Sequence, residues 1–206
     1  MSALEHLIAL GGEPLGPGWA FTLPDTGGAA RTRELEALLA AKDGFTAFDD
    51  ALLVFPANAP AGPIDLMRLN GGLWRGGYWH QFGGLYAFAA DALGELFALS
   101  GDKVVRFATE TGMAEPFADD LEGWAARVLE DPAGETAWPF IKTWQQANGA
   151  VRPGWRLTGR EPFVLGGSFE LGNLQAVDLL DILAFRGRLA TRIHDLPPGA
   201  EIRLAT

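Results

Sequence analysis

The chain has no cysteine among its 206 residues. That excludes disulfides, thiolate nucleophiles and cysteine-ligated metals, and a reducing, cytoplasmic location is the expectation. Histidine is nearly as scarce. His6, His80 and His194 are too dispersed for metal-ligand spacing, so no metal is expected. Of the serines, Ser2, Ser100 and Ser168, none lies in a Gly-x-Ser-x-Gly elbow. Neither Gly-x-Gly-x-x-Gly nor Gly-x-x-x-x-Gly-Lys occurs, so no phosphate-bearing cofactor is expected. Positive charge is in deficit: 16 bases against 26 acids give a net charge of −10. A nucleic-acid binder needs a basic footprint that releases counterions, and this chain has none. No apolar run reaches the length of a membrane span. The first residues lack the basic-then-apolar order of a secretory signal, so none is expected.

What the chain does have is a patterned stretch from Gly83 to Asp131. Leu85 to Ala90 is densely apolar and reads as a strand buried on both faces. Asp91 to Gly94 carries turn chemistry, a short acid that can bond its own backbone followed by a residue free to take positive φ. Glu95–Leu99 and Lys103–Phe107 read as strands joined by a two-residue turn at Gly101-Asp102. Thr109 to Gly112 turns again, and Met113 to Phe117 runs extended, with Pro116 marking an edge. Asp119 and Glu122 fit a capping box. Leu121, Trp124, Ala125, Val128 and Leu129 then form one apolar helical stripe suited to packing on the meander.

Several of these motifs match a known group in order and spacing. They are a strand ending in Asp91, then Gly94, Phe97-Ala98-Leu99, Lys103-Val104-x-x-Phe107, Glu110-Thr111-Gly112, and a helix carrying Leu121-Glu122-x-Trp124. In this segment, residues 83–131, the chain resembles the SUKH superfamily, which includes the yeast Smi/Knr regulators of cell-wall synthesis and many bacterial immunity proteins. Leu66 to Gly72 matches the Leu-x-x-x-Asn-Gly-Gly motif of that group, and residues 162–197 resemble the C-terminal extension of its longer bacterial members. The resemblance implies a non-catalytic protein-binding domain, and for the immunity members a toxin partner, often a basic nuclease. The other function it implies is a regulatory or scaffolding module of the Smi/Knr type.

Outside the meander the pattern is looser. Leu7–Leu10 and Ala20–Leu23 read as short strands among glycines and prolines. A helix capped by Thr32 runs to about Ala41, and Asp50–Phe55 is β-competent. After a loop at Asp131–Gly134, Thr136–Ala147 reads as a helix with Pro139 in its first turn. Phe163–Leu165 and Ser168–Leu171 suggest a hairpin around Gly166-Gly167. Asp178 caps a helix over 179–196, in which Gly187 allows close packing, and Ala200–Leu204 suggests a last strand. The expected architecture is α+β: a mainly antiparallel meander with helices packed on one side. Residues 1–150 form the SUKH-like domain, and 151–206 form a β-α-β extension packed on it as one compact unit.

Catalysis finds no footing. Asp119, Asp120 and Glu122 suit helix capping better than acid–base work, and Asp49-Asp50 suits a turn. The least patterned stretch, 56–84, interleaves glycines with Trp74, Tyr78, Trp79 and Phe82. Aromatics on such a backbone can anchor a protein contact, or can cover the core beneath a loop. These four are the candidate partner-binding residues. Their expected partner is a basic protein drawn to an acidic surface.

Overall fold

The structure is a computed structural model that describes residues 1–18, 22–24, 28–59, 64–78, 81–194 and 196. The first element is a helix, α1 (Ala3–Leu10), where a short strand over Leu7–Leu10 was expected, and the strand expected over Ala20–Leu23 lies partly outside the described residues. Ser2 and Glu5 form its capping box, so the start signal was present in the sequence. Helix α2 (Ala29–Ala41) begins three residues before Thr32, whose hydroxyl donates instead to the Gly28 carbonyl. A short hairpin follows, β1 (Phe45–Ala47) and β2 (Leu52–Val54). Helix α3 (Leu66–Asn70) ends at the Asn-Gly-Gly motif. The Asn70 side chain there acts as a piece of backbone. Its Nδ2 donates to the Ala87 carbonyl at 2.8 Å and its Oδ1 accepts from the Ala87 N–H at 2.9 Å, beside an irregularity between Ala87 and Ala89.

The meander forms as the sequence predicts: β3 (Leu85–Ala90), β4 (Leu96–Ser100), β5 (Lys103–Ala108) and β6 (Met113–Ala118). With the first hairpin they make one six-stranded antiparallel sheet in chain order, with Pro116 on the edge strand β6. The class is α+β. Helices, however, lie on both faces rather than one. Phe97 pairs with Arg106 across β4 and β5, so Phe107 points to the opposite face. Phe97 meets Trp124 of α4 (Leu121–Glu130), whereas Phe107 meets Tyr78 in a 3₁₀ helix over Leu73–Tyr78. A strand with no exposed residue, such as β3, requires cover on both sides.

Trp124 is fully buried, with its ring edge-on to Phe88 and Phe97. Its helix is capped by Asp120 rather than Asp119. Glu122 does not close a box of its own. Its carboxylate accepts the backbone N–H groups of Ala3 and Leu4, capping α1 from across the fold. Asp131-Pro132 opens a further helix, α5 (Pro132–Thr136), where a loop was expected, since proline suits a first helical position. Ala137, in left-handed conformation, separates α5 from α6 (Trp138–Asn148).

The C-terminal part differs most from expectation. The strands are β7 (Trp155–Gly159) and β8 (Leu174–Asp178), paired antiparallel, and the proposed 163–171 hairpin is the loop between them. Asp178 caps α7 (Leu179–Ile193) as predicted, its Oδ1 accepting the Leu180 N–H. The helix stops short of Leu196, which is exposed. Leu179, Leu183 and Ala190 join the same core as the large sheet. The expected strand at 200–204 lies outside the described residues. Gly187 lets α7 approach the 3₁₀ helix closely: a Cβ there would sit 3.0 Å from the Tyr78 ring and 3.1 Å from the Gly77 backbone. In an open helix, Gly→Ala gains about 1 kcal/mol. Here Gly187→Ala is expected to lower the melting temperature, because overpacking outweighs propensity. A rise in a thermal melt would refute that contact.

Candidate functional site

The aromatic stretch is core rather than surface. Trp74, Tyr78 and Phe82 are 5%, 0% and 1% exposed. Trp74 packs edge-on against Tyr78 and Phe82, and both of those meet Phe107. Their polar atoms are used internally: Trp74 Nε1 donates to the Leu69 carbonyl and Tyr78 Oη to the Thr109 carbonyl, at 2.8 and 2.7 Å. Buried side chains offer no surface to a partner, so the expected anchoring role does not hold for these three. Trp79 lies outside the described residues.

Behind Tyr78 lies a buried ionic cluster that the sequence did not announce. Arg186 of α7 is 1% exposed. Its Nη1 donates to the Leu93 carbonyl and to Thr109 Oγ1, and lies 3.4 Å from Glu95 Oε1. Its Nη2 faces Glu110 Oε1 at 3.2 Å. Next to it, Asp91 accepts the Leu93 and Glu95 N–H groups with one oxygen and Arg106 Nη2 with the other, at 2.6 Å. Burial raises the Asp91 pKa, with Arg106 opposing. Burial likewise pushes Glu95 up to about 7, against the pull of Arg186. The cluster joins the β3–β4 turn, the β5–β6 turn and α7. Asp91 and Arg186 are buried while Glu95 and Arg106 are 20% and 28% exposed, and the cluster fixes these turns to the helix.

A carboxyl that binds its proton more tightly folded than unfolded stabilises the fold as pH falls. Glu95 titrates near 4.5 when unperturbed. Its contribution is therefore most favourable below that pH and is lost as pH rises through about 7. The difference in stability between wild type and Glu95→Gln is expected to change across this window and to flatten above it. Parallel denaturation curves at every pH would contradict it.

One surface that presents several apolar side chains together is the loop between β7 and β8. Phe169 is 52% exposed and is flanked by exposed Val164 and Leu171. Its ring stacks on Phe163 at 4.1 Å, nearly parallel, and leans on Phe140 of α6. The loop is well tied. Asn173 donates to the Glu161 and Ser168 carbonyls and accepts the Glu161 N–H. The Val164 N–H donates to Glu110 Oε2, fastening the loop to the ionic cluster. Gly167 admits the Glu161 carbonyl, which would lie 2.1 Å from any Cβ there. Exposed Glu161 and Glu170 border the platform. Phe163, Phe169 and the Gly166-Gly167 pair were the available signal, but reading them as a hairpin hid it.

No family model and no curated protein matches the chain. Among solved structures, the protein Atu4351 from Agrobacterium tumefaciens is similar to it, with a TM-score of 0.58 at 12% identity. The match covers 88% of this chain and 87% of that one. At that identity the likeness shows a shared fold over nearly the whole length.

Proposed function

We propose that the protein is a non-catalytic binding protein of SUKH-like type, and that it acts as an immunity protein holding a basic, toxic partner. The observation that carries this reading is the ordered loop over residues 160–173, which exposes Val164, Phe169 and Leu171 together with Glu161 and Glu170. A pre-formed apolar platform with acidic neighbours suits a protein contact, because its ordering cost is met before binding. The net charge of −10 favours a basic partner and speeds encounter, while the aromatic contact sets the lifetime of the complex.

The test is affinity capture from the native host at low salt, with wild type and Phe169→Asp compared. The variant loses the stack on Phe163, so it is expected to be destabilised by about 1 kcal/mol and to stay folded. Wild type should retain a basic protein that Phe169→Asp releases. Producing that protein alone should arrest growth, and co-production of wild type should restore it. A captured partner that is harmless, or that binds Phe169→Asp equally well, would refute the proposal.

A further inference from the structure

A groove of about 420 Å³ runs between the end of α6 and the β7–β8 sheet. Its volume lies within the roughly 300–1,000 Å³ of small-molecule sites. It forms because α6 stops at Asn148, where Gly149 takes a φ of 88° and the chain turns back toward β7. Trp144 and Trp155, both half-buried, supply its apolar lining. They pack on the same small core as Leu157 and Leu174. Asn148, Arg152, Arg160 and Gln175 supply the polar lining. Among the described residues no acid lines it, in a chain whose net charge is −10.

Each polar group is set by its neighbours. The exposed Arg152 guanidinium lies 4.8 Å from the centre of the Trp155 ring. That cation–π contact orients it, and no acid or carbonyl among the described residues takes its N–H groups. Arg160 Nη1 donates to Gln175 Oε1 at 3.3 Å. A guanidinium only donates, so the Gln175 oxygen is committed and its Nε2 is left to donate. At the end of α6, Asn148 Nδ2 donates to the Trp144 carbonyl at 2.9 Å, which leaves Oδ1 to accept. The groove offers an open cationic fork, an amide donor, an amide acceptor and an indole wall.

We infer that this groove binds an adenine mononucleotide, its phosphate gripped by Arg152 and its base lying against Trp144. A guanidinium meets phosphate oxygens with two parallel N–H bonds, which an ammonium cannot do. Any base stacks on an aromatic side chain, so hydrogen bonds must choose among bases. Adenine sets an amine beside a ring nitrogen. The amine donates to Asn148 Oδ1, and Gln175 Nε2 donates to the nitrogen. The carbonyl end of α6 carries partial negative charge, which also suits the amine. Glycine-rich phosphate loops are absent from the sequence, so side chains rather than backbone N–H groups hold the phosphate. The groove shares no lining residue with the Phe169 platform, so the two sites can be tested apart.

The full chain would be titrated with adenosine monophosphate, inosine monophosphate and inorganic phosphate, each against sodium chloride at constant ionic strength. Calorimetry and melting temperature would be read. Adenosine monophosphate should bind once per chain and raise the melting temperature saturably, as a ligand of the native state does. Inosine monophosphate, with an oxygen in place of the amine, should bind several-fold more weakly, and phosphate more weakly still. Arg152→Lys keeps the charge and loses the fork, and should weaken adenosine monophosphate by about tenfold. Asn148→Leu should erase the preference over inosine monophosphate. Both positions are exposed, so both variants are expected to fold. A response to adenosine monophosphate no different from chloride overturns the proposal. Equal binding of phosphate, which marks a plain anion site, overturns it too, as does equal binding of inosine monophosphate. Binding unchanged in Arg152→Lys places the nucleotide elsewhere and also overturns it. Digalacturonate bound more tightly than the nucleotide would make this an acidic-sugar site instead.

Discussion

Trp124→Ala is expected to destabilise the protein by about 3–5 kcal/mol, the range for deleting a large, fully buried aromatic side chain. Trp124 sits where α4, β3 and β4 meet, edge-on to both Phe88 and Phe97. A close-packed site between a helix and a sheet collapses only partly around a void, so the cavity penalty adds to the lost transfer energy. In a chain of this length the melting temperature should fall by roughly 10 °C. Trp124→Phe should cost much less. It keeps most of the ring and removes Nε1, which is buried without a partner. Equal losses from the two substitutions would mean that the indole matters for something other than packing, and a melt within a degree or two of wild type would remove Trp124 from the core.

Arg186→Ala should be comparably severe, about 3–5 kcal/mol, because it leaves buried carboxylates without their counter-charge. Glu95 and Glu110 both face that guanidinium. The loss should be pH-dependent in a definite sense. Arg186 holds the Glu95 pKa down, so without it Glu95 takes a proton more readily and the penalty shrinks as pH falls from 8 to 5. Adding Glu95→Gln and Glu110→Gln to Arg186→Met should recover much of the stability, since a neutral cluster no longer needs the charge. Loss that is independent of pH, with no recovery in the triple variant, would show that Arg186 acts through its packing alone.

The parts of the fold that were legible are those that local chemistry dictates. The meander declared itself through dense apolar strands and the Asp91, Gly101 and Gly112 turns. Trp124 declared itself through helical spacing, and α7 through the Asp178 cap and the close approach at Gly187. What misled was context that neighbours along the chain do not carry. Leu7–Leu10 looks like a strand until Ser2 and Glu5 are weighed, and the far side of that cap comes from Glu122, distant in sequence. Trp74, Tyr78 and Phe82 lack periodicity because a 3₁₀ helix and a turn bury them, with α7 laid across Gly77. The exposed platform at Phe169 depends on Asn173 closing the loop with its side chain, which no turn rule foretells. Arg156 carries no local signal at all. It is 2% exposed, and two of its nitrogens are buried without a partner.

The chain-order sheet also bears on synthesis. All six strands pair with their sequence neighbours and are finished at Ala118, well before α7 is made. Domains assemble as they leave the ribosome, and pairings between nearby strands close small loops at little entropic cost. The nascent sheet is therefore expected to stand for a time with the α7-facing side uncovered. During that interval Glu95 and Glu110 meet water rather than Arg186. Carboxylates along an open flank repel a like flank on another nascent chain, much as charged residues blunt a sheet edge. The cluster that later locks the helix in place would first act as a guard against misassociation.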